Sequence, residues 1–227
     1  MMKPLLGVVG GMGPQVTACF YEKLHTLQSI TVEQEYFDIL VYSIPTAPDR
    51  TAYITGKSTD SPLESLIHAA RTLESAGASC IALPCVTSHF FYADLVKAVN
   101  IPVLNILDET AGYAAACGFG SVCLLATDGT VKGGAFHAAF AGHGIEVSLP
   151  ALGLQSDLMS LIYDIKRGAA ASELSDALET IISAALKTTG AEAVVLGCTE
   201  LCISAKETPG VINTLEVLAR ASIDAML

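Results

Sequence analysis

The sequence predicts an α/β fold of two pseudo-symmetric lobes, each a small parallel sheet flanked by helices, with a cleft between them. Short apolar runs alternate along the chain with longer amphipathic stretches, a pattern typical of β–α–β units. One stretch of the first half of the chain also recurs in the second half. The 227 residues are 52% hydrophobic and 15% charged, which allows a sizeable core and excludes intrinsic disorder.

Short apolar runs predict the strands, because parallel strands are buried on both faces and their sequences are almost continuously hydrophobic. The predicted strands are residues 5–9, 39–43, 80–83, 103–106, 121–126, 145–149, 193–196 and 211–213. In sequence they alternate with predicted helices, so we expect right-handed crossovers between parallel neighbours.

The longer stretches predict the helices. They are residues 14–27, 61–75, 90–99, 131–141, 155–167, 173–187 and 216–226. Pro14 favours a helix start, because proline fits the first helical position. In the second helix, Leu66, Ala70 and Leu73 fall on one face. Since no strand follows the last helix, we expect it to pack back on the first lobe.

An internal repeat suggests the two lobes. Residues 73–85 align without gaps with residues 186–198, with leucine, glycine, alanine, leucine and cysteine at matching positions. The predicted lobes are residues 1–105 together with 215–227, and residues 106–214. Chance similarity of a single helix–strand unit is the alternative explanation.

Charge and cysteine usage narrow the function classes. A net charge of −11 argues against nucleic acid or an anionic membrane surface as partner. Seven cysteines, an odd number without zinc-type spacing, argue against a disulfide framework or a metal site and favour a reducing cytoplasm. Weakly charged stretches at 4–21, 75–93 and 110–127 are interrupted by glycine or proline, so we expect neither a signal peptide nor a membrane span.

The repeat places Cys85 and Cys198 immediately after matching strands. Ligands of parallel sheets bind outside the carboxyl ends of the strands, so the two thiols would face each other across the cleft, which would be the active site. One thiol on each face of a carbon suits removal of a proton from one side and delivery to the other. Both cysteines precede predicted helix starts, where the helix dipole favours thiolate. Taken singly, each cysteine could instead be a buried structural residue.

Six short motifs carry a family resemblance. They are residues 10–14, 43–51, 84–89, 125–130, 162–168 and 197–201. With these motifs the sequence resembles the aspartate/glutamate racemase family over nearly its whole length, and the aspartate racemase branch most closely. The resemblance implies a cofactor-independent amino-acid racemase of two α/β lobes, working as a homodimer without pyridoxal phosphate or metal.

The resemblance also implies roles for individual residues. Cys85 and Cys198 would be the paired acid/base thiols, while Arg50 and Lys166 would hold the carboxylates of a small acidic amino acid. Thr87, Thr127 and Thr130 would offer hydroxyls or amides to the substrate, and Glu200 would orient or accept its ammonium. The remaining residues expected to line the substrate site are Met12, Val86, Ser88 and Thr199. The glycine loop at 10–13 would allow the backbone to approach the substrate closely.

The expected activity is interconversion of L- and D-aspartate, and several alternatives stay open. One is a glutamate or broad-specificity racemase, and another is a decarboxylase or isomerase that uses one thiol. A silent dicarboxylate- or amino-acid-binding protein is a third, since Val86 stands where family members commonly have Asn; Asn213 similarly replaces a common Asp. His89 could be a base for Cys85 in a thiol hydrolase. From the sequence alone, Arg50 could be a turn residue paired with Asp49, and Lys166 an ordinary helix end.

Overall fold

The computed structural model describes residues 3–170 and 173–227, which form two parallel sheets. In the first sheet, β1 (Leu5–Gly10) lies between β2 (Asp38–Ser43) and β3 (Cys80–Ala82). The strands of the second sheet are β4 (Ser121–Ala126), β5 (Glu146–Ser148), β6 (Ala193–Gly197) and β7 (Val211–Asn213), in the order β5-β4-β6-β7. The predicted α/β fold class is confirmed.

The two sheets follow the same strand order. β1 pairs with β2 on one side and β3 on the other, just as β4 pairs with β5 and β6. Where β7 extends the second sheet, the first sheet has a single parallel bridge between Ile81 and Val103. The strand predicted at 103–106 is therefore wrong in extent, because the Asn105 side chain accepts a hydrogen bond from the Leu107 N–H and begins a helix there.

Eleven helices surround the sheets within the described ranges. They are α1 (Pro14–Thr26), α2 (Arg50–Thr55), α3 (Leu63–Ser75), α4 (Tyr92–Ala98), α5 (Ile106–Ala116), α6 (Asp128–Gly133), α7 (Ala135–Ala141), α8 (Leu152–Lys166), α9 (Ser175–Thr189), α10 (Thr199–Cys202) and α11 (Thr214–Met226). Two short 3-10 helices cover Glu33–Glu35 and Val86–Phe91. No helix in residues 3–170 or 173–227 is long and apolar enough to cross a membrane.

Helices α2 and α5 were not predicted from the sequence. One helix that was predicted is divided into two in the structure. α5 packs against both α7 and α11, so its apolar residues do not form the single stripe that identifies an amphipathic helix. α2 begins because the Asp49 carboxylate accepts a hydrogen bond from the Ala52 N–H at 2.8 Å. The helix predicted at 131–141 becomes α6 and α7, separated by Gly134 with φ of 68°.

The hydrophobic core has two parts, divided by the first sheet. Leu6 and Val8 of β1 belong to a large cluster that continues through β4 and β6, whereas Val9 joins a smaller cluster under α3. The last helix, α11, contacts α1, β1 and β3, as expected, but also α5, β6 and β7. The boundaries of the lobes, at residues 105 and 215, stay a prediction.

Candidate active site

The two repeated cysteines line one small chamber between the sheets. Cys85 lies three residues beyond β3, and Cys198 lies directly after β6, so both follow the carboxyl ends of matching strands. Their exposed fractions are 6% and 3%. The chamber volume is about 10 Å³, the space of one water molecule, so the site is closed.

Most of the predicted substrate-binding residues line this chamber. Those that do are Met12, Arg50, Val86, Thr87, Lys166, Thr199 and Glu200. Ser88, Thr127 and Thr130 lie behind its wall. Asp49 and Thr51, which the sequence analysis did not select, also line it. Their position immediately beside Arg50 in the sequence was the available signal, because the start of α2, with its capping residue, lies at the chamber.

The hydrogen-bond partner of the Cys85 thiol is the hydroxyl of Ser88. Ser88, which is fully buried, donates a hydrogen bond from Oγ to Cys85 Sγ at 3.1 Å, and the same hydroxyl lies 3.6 Å from Met12 Sδ. Val86 turns its side chain into the large hydrophobic cluster as well as lining the chamber.

His89 contacts the backbone of the Cys85 segment. Its Nδ1 lies 3.0 Å from the Cys85 carbonyl oxygen, and its Nε2 lies 3.3 Å from the Ile106 N–H. A neutral ring with the proton on Nδ1 satisfies both contacts, and burial lowers the pKa of His89, which favours that neutral form. The ring therefore fixes the loop and the start of α5, and the thiol-hydrolase alternative is not supported.

Cys198 has an anionic neighbour. Its thiol donates a hydrogen bond to Glu200 Oε2 at 3.1 Å, and Glu200 is 5% exposed. Burial and then the charge of Glu200 raise the pKa of Cys198 well above its ordinary value. The expectation that a helix dipole favours thiolate is therefore wrong for Cys198, because α10 has only four residues and burial beside a carboxylate outweighs it.

Two cations from different helices complete the wall. Lys166, the last residue of α8, has Nζ 3.7 Å from Glu200 Oε1. Burial lowers the pKa of Lys166, but Glu200 and the two thiols raise it, and the net shift is upward. Arg50, the first residue of α2, donates from Nη1 to the carbonyl of Pro48 at 3.0 Å, and its buried Nε has no partner among the described residues.

Arg50 and Asp49 have different tasks. Asp49 caps α2, while the guanidinium of Arg50 is half-buried at the chamber. The alternative of an exposed turn residue paired with Asp49 is therefore wrong. An unpartnered guanidinium donor at the chamber is suited to binding a carboxylate.

Three threonine hydroxyls bond to one another behind the chamber. Thr87 lies 3.2 Å from Thr127 and 3.0 Å from Thr130, and the latter two lie 3.1 Å apart. The Thr127 hydroxyl also accepts from the Thr130 N–H. This triangle connects the loop after β3 with the start of α6, and of its members only Thr87 lines the chamber.

The glycine loop packs against the protein itself. Gly11 has φ of 92°, and a Cβ at this position would be 2.4 Å from the Ile44 backbone nitrogen. The Gly11 N–H donates to the Thr17 hydroxyl at 2.8 Å. The close approach that the glycines permit is therefore to the loop after β2.

A larger cleft adjoins the closed chamber. It has a volume of about 420 Å³ and shares the side chains that separate it from the thiols. The shared residues are Met12, Asp49, Arg50, Lys166 and Glu200. An amino acid in this cleft would reach the thiols once these side chains move aside.

A glycine in α6 allows this helix to pack closely against α2. A Cβ on Gly129 would be 2.9 Å from Thr51 Cα, so alanine there must push α2 away from α6. We expect Gly129→Ala to lower kcat/KM by about 10²-fold, because misplacing α2 also displaces Arg50. The matched control is Gly133→Ala in the same helix, where the new Cβ meets only the exposed ring of Phe90 at 3.3 Å. Equal kinetics for the two variants would contradict this.

Comparison with known proteins agrees with the geometry. A family model described as Asp/Glu/hydantoin racemase matches residues 9–222. The broad-specificity amino-acid racemase RacX of Bacillus subtilis is 30% identical over 149 residues, which span 63% of this chain and 63% of that relative. The structure of Picrophilus torridus aspartate racemase superposes with a TM-score of 0.85 at 28% identity, covering 98% of this chain and 94% of its own. An aspartate racemase homologue from Pyrococcus horikoshii OT3 gives 0.78 at 26% identity, covering 99% of each chain.

Proposed function

The chain belongs to the Asp/Glu/hydantoin racemase family, a family of racemases, and on that premise we propose that it interconverts L- and D-aspartate. The observation that carries the proposal is that two buried thiols and two cations line one closed chamber. A small dicarboxylic amino acid presents one acidic carbon to the thiols and two carboxylates to the cations.

In the proposed reaction, one proton is removed from the α-carbon on one face and another is added on the opposite face. The thiolate of one cysteine takes the α-proton, so that an S–H bond forms as the C–H bond breaks and the electron pair is left on the substrate. The thiol of the other cysteine then gives its proton to the opposite face, which inverts the centre. The two cysteines finish with exchanged protonation states, ready for the opposite enantiomer. We propose that this occurs without pyridoxal phosphate or metal.

Arg50 and Lys166 support this step electrostatically. The carbanion that forms is delocalised into the α-carboxylate, and a nearby cation stabilises the added negative charge most strongly when water is excluded. The second cation is then available for the side-chain carboxylate. The unpartnered Nε of Arg50 is a donor already directed into a buried position.

Deuterium exchange tests the proposal. The protein is incubated in deuterated water with the L- and D-forms of aspartate, glutamate and alanine, and deuterium uptake and chirality are followed together. We expect uptake with inversion for both aspartate enantiomers. Equal rates on alanine would favour a broad-specificity racemase, as in the Bacillus subtilis relative. Binding without exchange for all six would overturn the racemase proposal and favour the binding-protein alternative.

The family resemblance also underlies two proposals about oligomeric state and location in the cell. We propose that the enzyme is a homodimer and that it acts in the cytoplasm. Light scattering on the purified protein tests the first, since a monomer and a dimer of this 23.6 kDa chain differ twofold in mass.

A further inference from the structure

The two thiols have neighbours of opposite hydrogen-bonding character. The Ser88 hydroxyl lies 3.1 Å from Cys85 Sγ and donates to it. The carboxylate of Glu200 can only accept, so at 3.1 Å the Cys198 thiol is the donor. Ser88 is fully buried and Glu200 is 5% exposed, so water does not weaken either contact.

These neighbours favour opposite charge states. A hydroxyl donor stabilises a thiolate, whereas a carboxylate repels one and holds the proton on the sulfur. We propose that Ser88 and Glu200 are positioning residues that make the two thiols unequal, so that the free enzyme holds its negative charge on Cys85 and its proton on Cys198. The inference rests on the proposed function, since it assigns a starting state to that reaction.

The other charged groups around the chamber do not produce this inequality. Lys166 interacts with both thiols, and neither Arg50 nor the capping residue Asp49 makes a hydrogen bond to either sulfur. His89 has both ring nitrogens on backbone groups and is held neutral by burial. Ser88 and Glu200 are therefore the groups that distinguish the thiols. The raised pKa of Cys198 agrees with the direction.

The inequality has a kinetic consequence. The prevalent enzyme form accepts the enantiomer whose α-proton faces Cys85, and the other enantiomer requires the less abundant form. Because the two enantiomers have equal free energy, kcat/KM must be the same in both directions. The inequality therefore appears as a lower KM and, by the same factor, a lower kcat for the enantiomer that fits the prevalent form.

Alkylation measures the charge states without reference to substrate. The protein is treated with iodoacetamide across a pH series, and the modified peptides are quantified by mass spectrometry. We expect Cys85 to be modified at lower pH than Cys198. Ser88→Ala should slow modification of Cys85 at neutral pH by about tenfold and leave Cys198 unchanged. Glu200→Gln should move the Cys198 curve to lower pH and leave Cys85 unchanged.

Ser88→Thr tests rescue: because it keeps a hydroxyl beside Cys85, modification of Cys85 should be faster than in Ser88→Ala. Coincident curves for the two cysteines in the wild-type protein, or equal shifts of both in each variant, would overturn the inference. The ratio of kcat values for the two enantiomers gives an independent readout, which Ser88→Ala should bring closer to one. Failure of the protein to racemise aspartate would overturn the proposed function but leave the alkylation result intact, so the two failures are distinguishable.

Discussion

We expect Cys85→Ala and Cys198→Ala each to lower the rate of aspartate racemisation by about 10³-fold or more, because each variant lacks one of the two groups that transfer the proton in the proposed reaction. The remaining thiol still faces one side of the α-carbon. Each variant should therefore exchange the α-proton of a single enantiomer for deuterium without inverting it, and the two variants should act on opposite enantiomers. Chiral chromatography with mass detection measures inversion and exchange in the same sample.

The controls for these variants are two other buried cysteines, each a few residues away from Cys85 or Cys198 in the sequence. Cys80→Ala removes a buried thiol from β3, and Cys202→Ala removes one from α10, and neither residue lines the chamber. Both should racemise at close to the rate of the wild-type protein. A rate above about a tenth of wild type in Cys85→Ala or Cys198→Ala would contradict a reaction that uses both thiols.

We expect Arg50→Ala to raise the KM for aspartate by about 10²-fold, since the substrate would lose the proposed pair of charge-assisted hydrogen bonds in a buried position. Arg50→Lys should recover only part of the loss, because an ammonium group cannot make the same two-pronged contact with a carboxylate. Steady-state kinetics with both enantiomers measure the effect.

The control for Arg50 is Arg71→Ala. Arg71 is an exposed arginine of α3 that donates from Nε to the Ala98 carbonyl at 3.1 Å and lines neither the chamber nor the cleft, so its loss should leave KM unchanged. If Arg50→Ala and Arg71→Ala have the same KM, Arg50 does not bind the substrate carboxylate.

Local sequence was sufficient for much of the fold. Alternating apolar runs and amphipathic stretches predict both sheets, because the period of hydrophobic residues depends on nearby positions along the chain. The repeat likewise predicts the place of Cys85 and Cys198, since matching strands carry matching residues to their carboxyl ends. The family motifs agree with the match of the family model over residues 9–222.

Helices without a single apolar stripe escaped prediction. α5 is packed on two sides, and α2 is a helix of six residues whose start depends on the carboxylate of Asp49. The break between α6 and α7 depends on the left-handed conformation of Gly134, at a position where the sequence has two consecutive glycines.

What the sequence determined by itself is most of the alternation of strands and helices, the repeat and the position of a thiol beyond each matching strand end. Only the tertiary structure decided what each thiol contacts: the Ser88 hydroxyl at Cys85, and the Glu200 carboxylate at Cys198. It also decided that Lys166 lies beside Glu200 and that the threonine triangle lies behind the chamber. The physical reason is that these contacts depend on the directions of side chains and on the approach of segments distant in sequence. The extent of burial then sets how strongly the charged groups interact with one another.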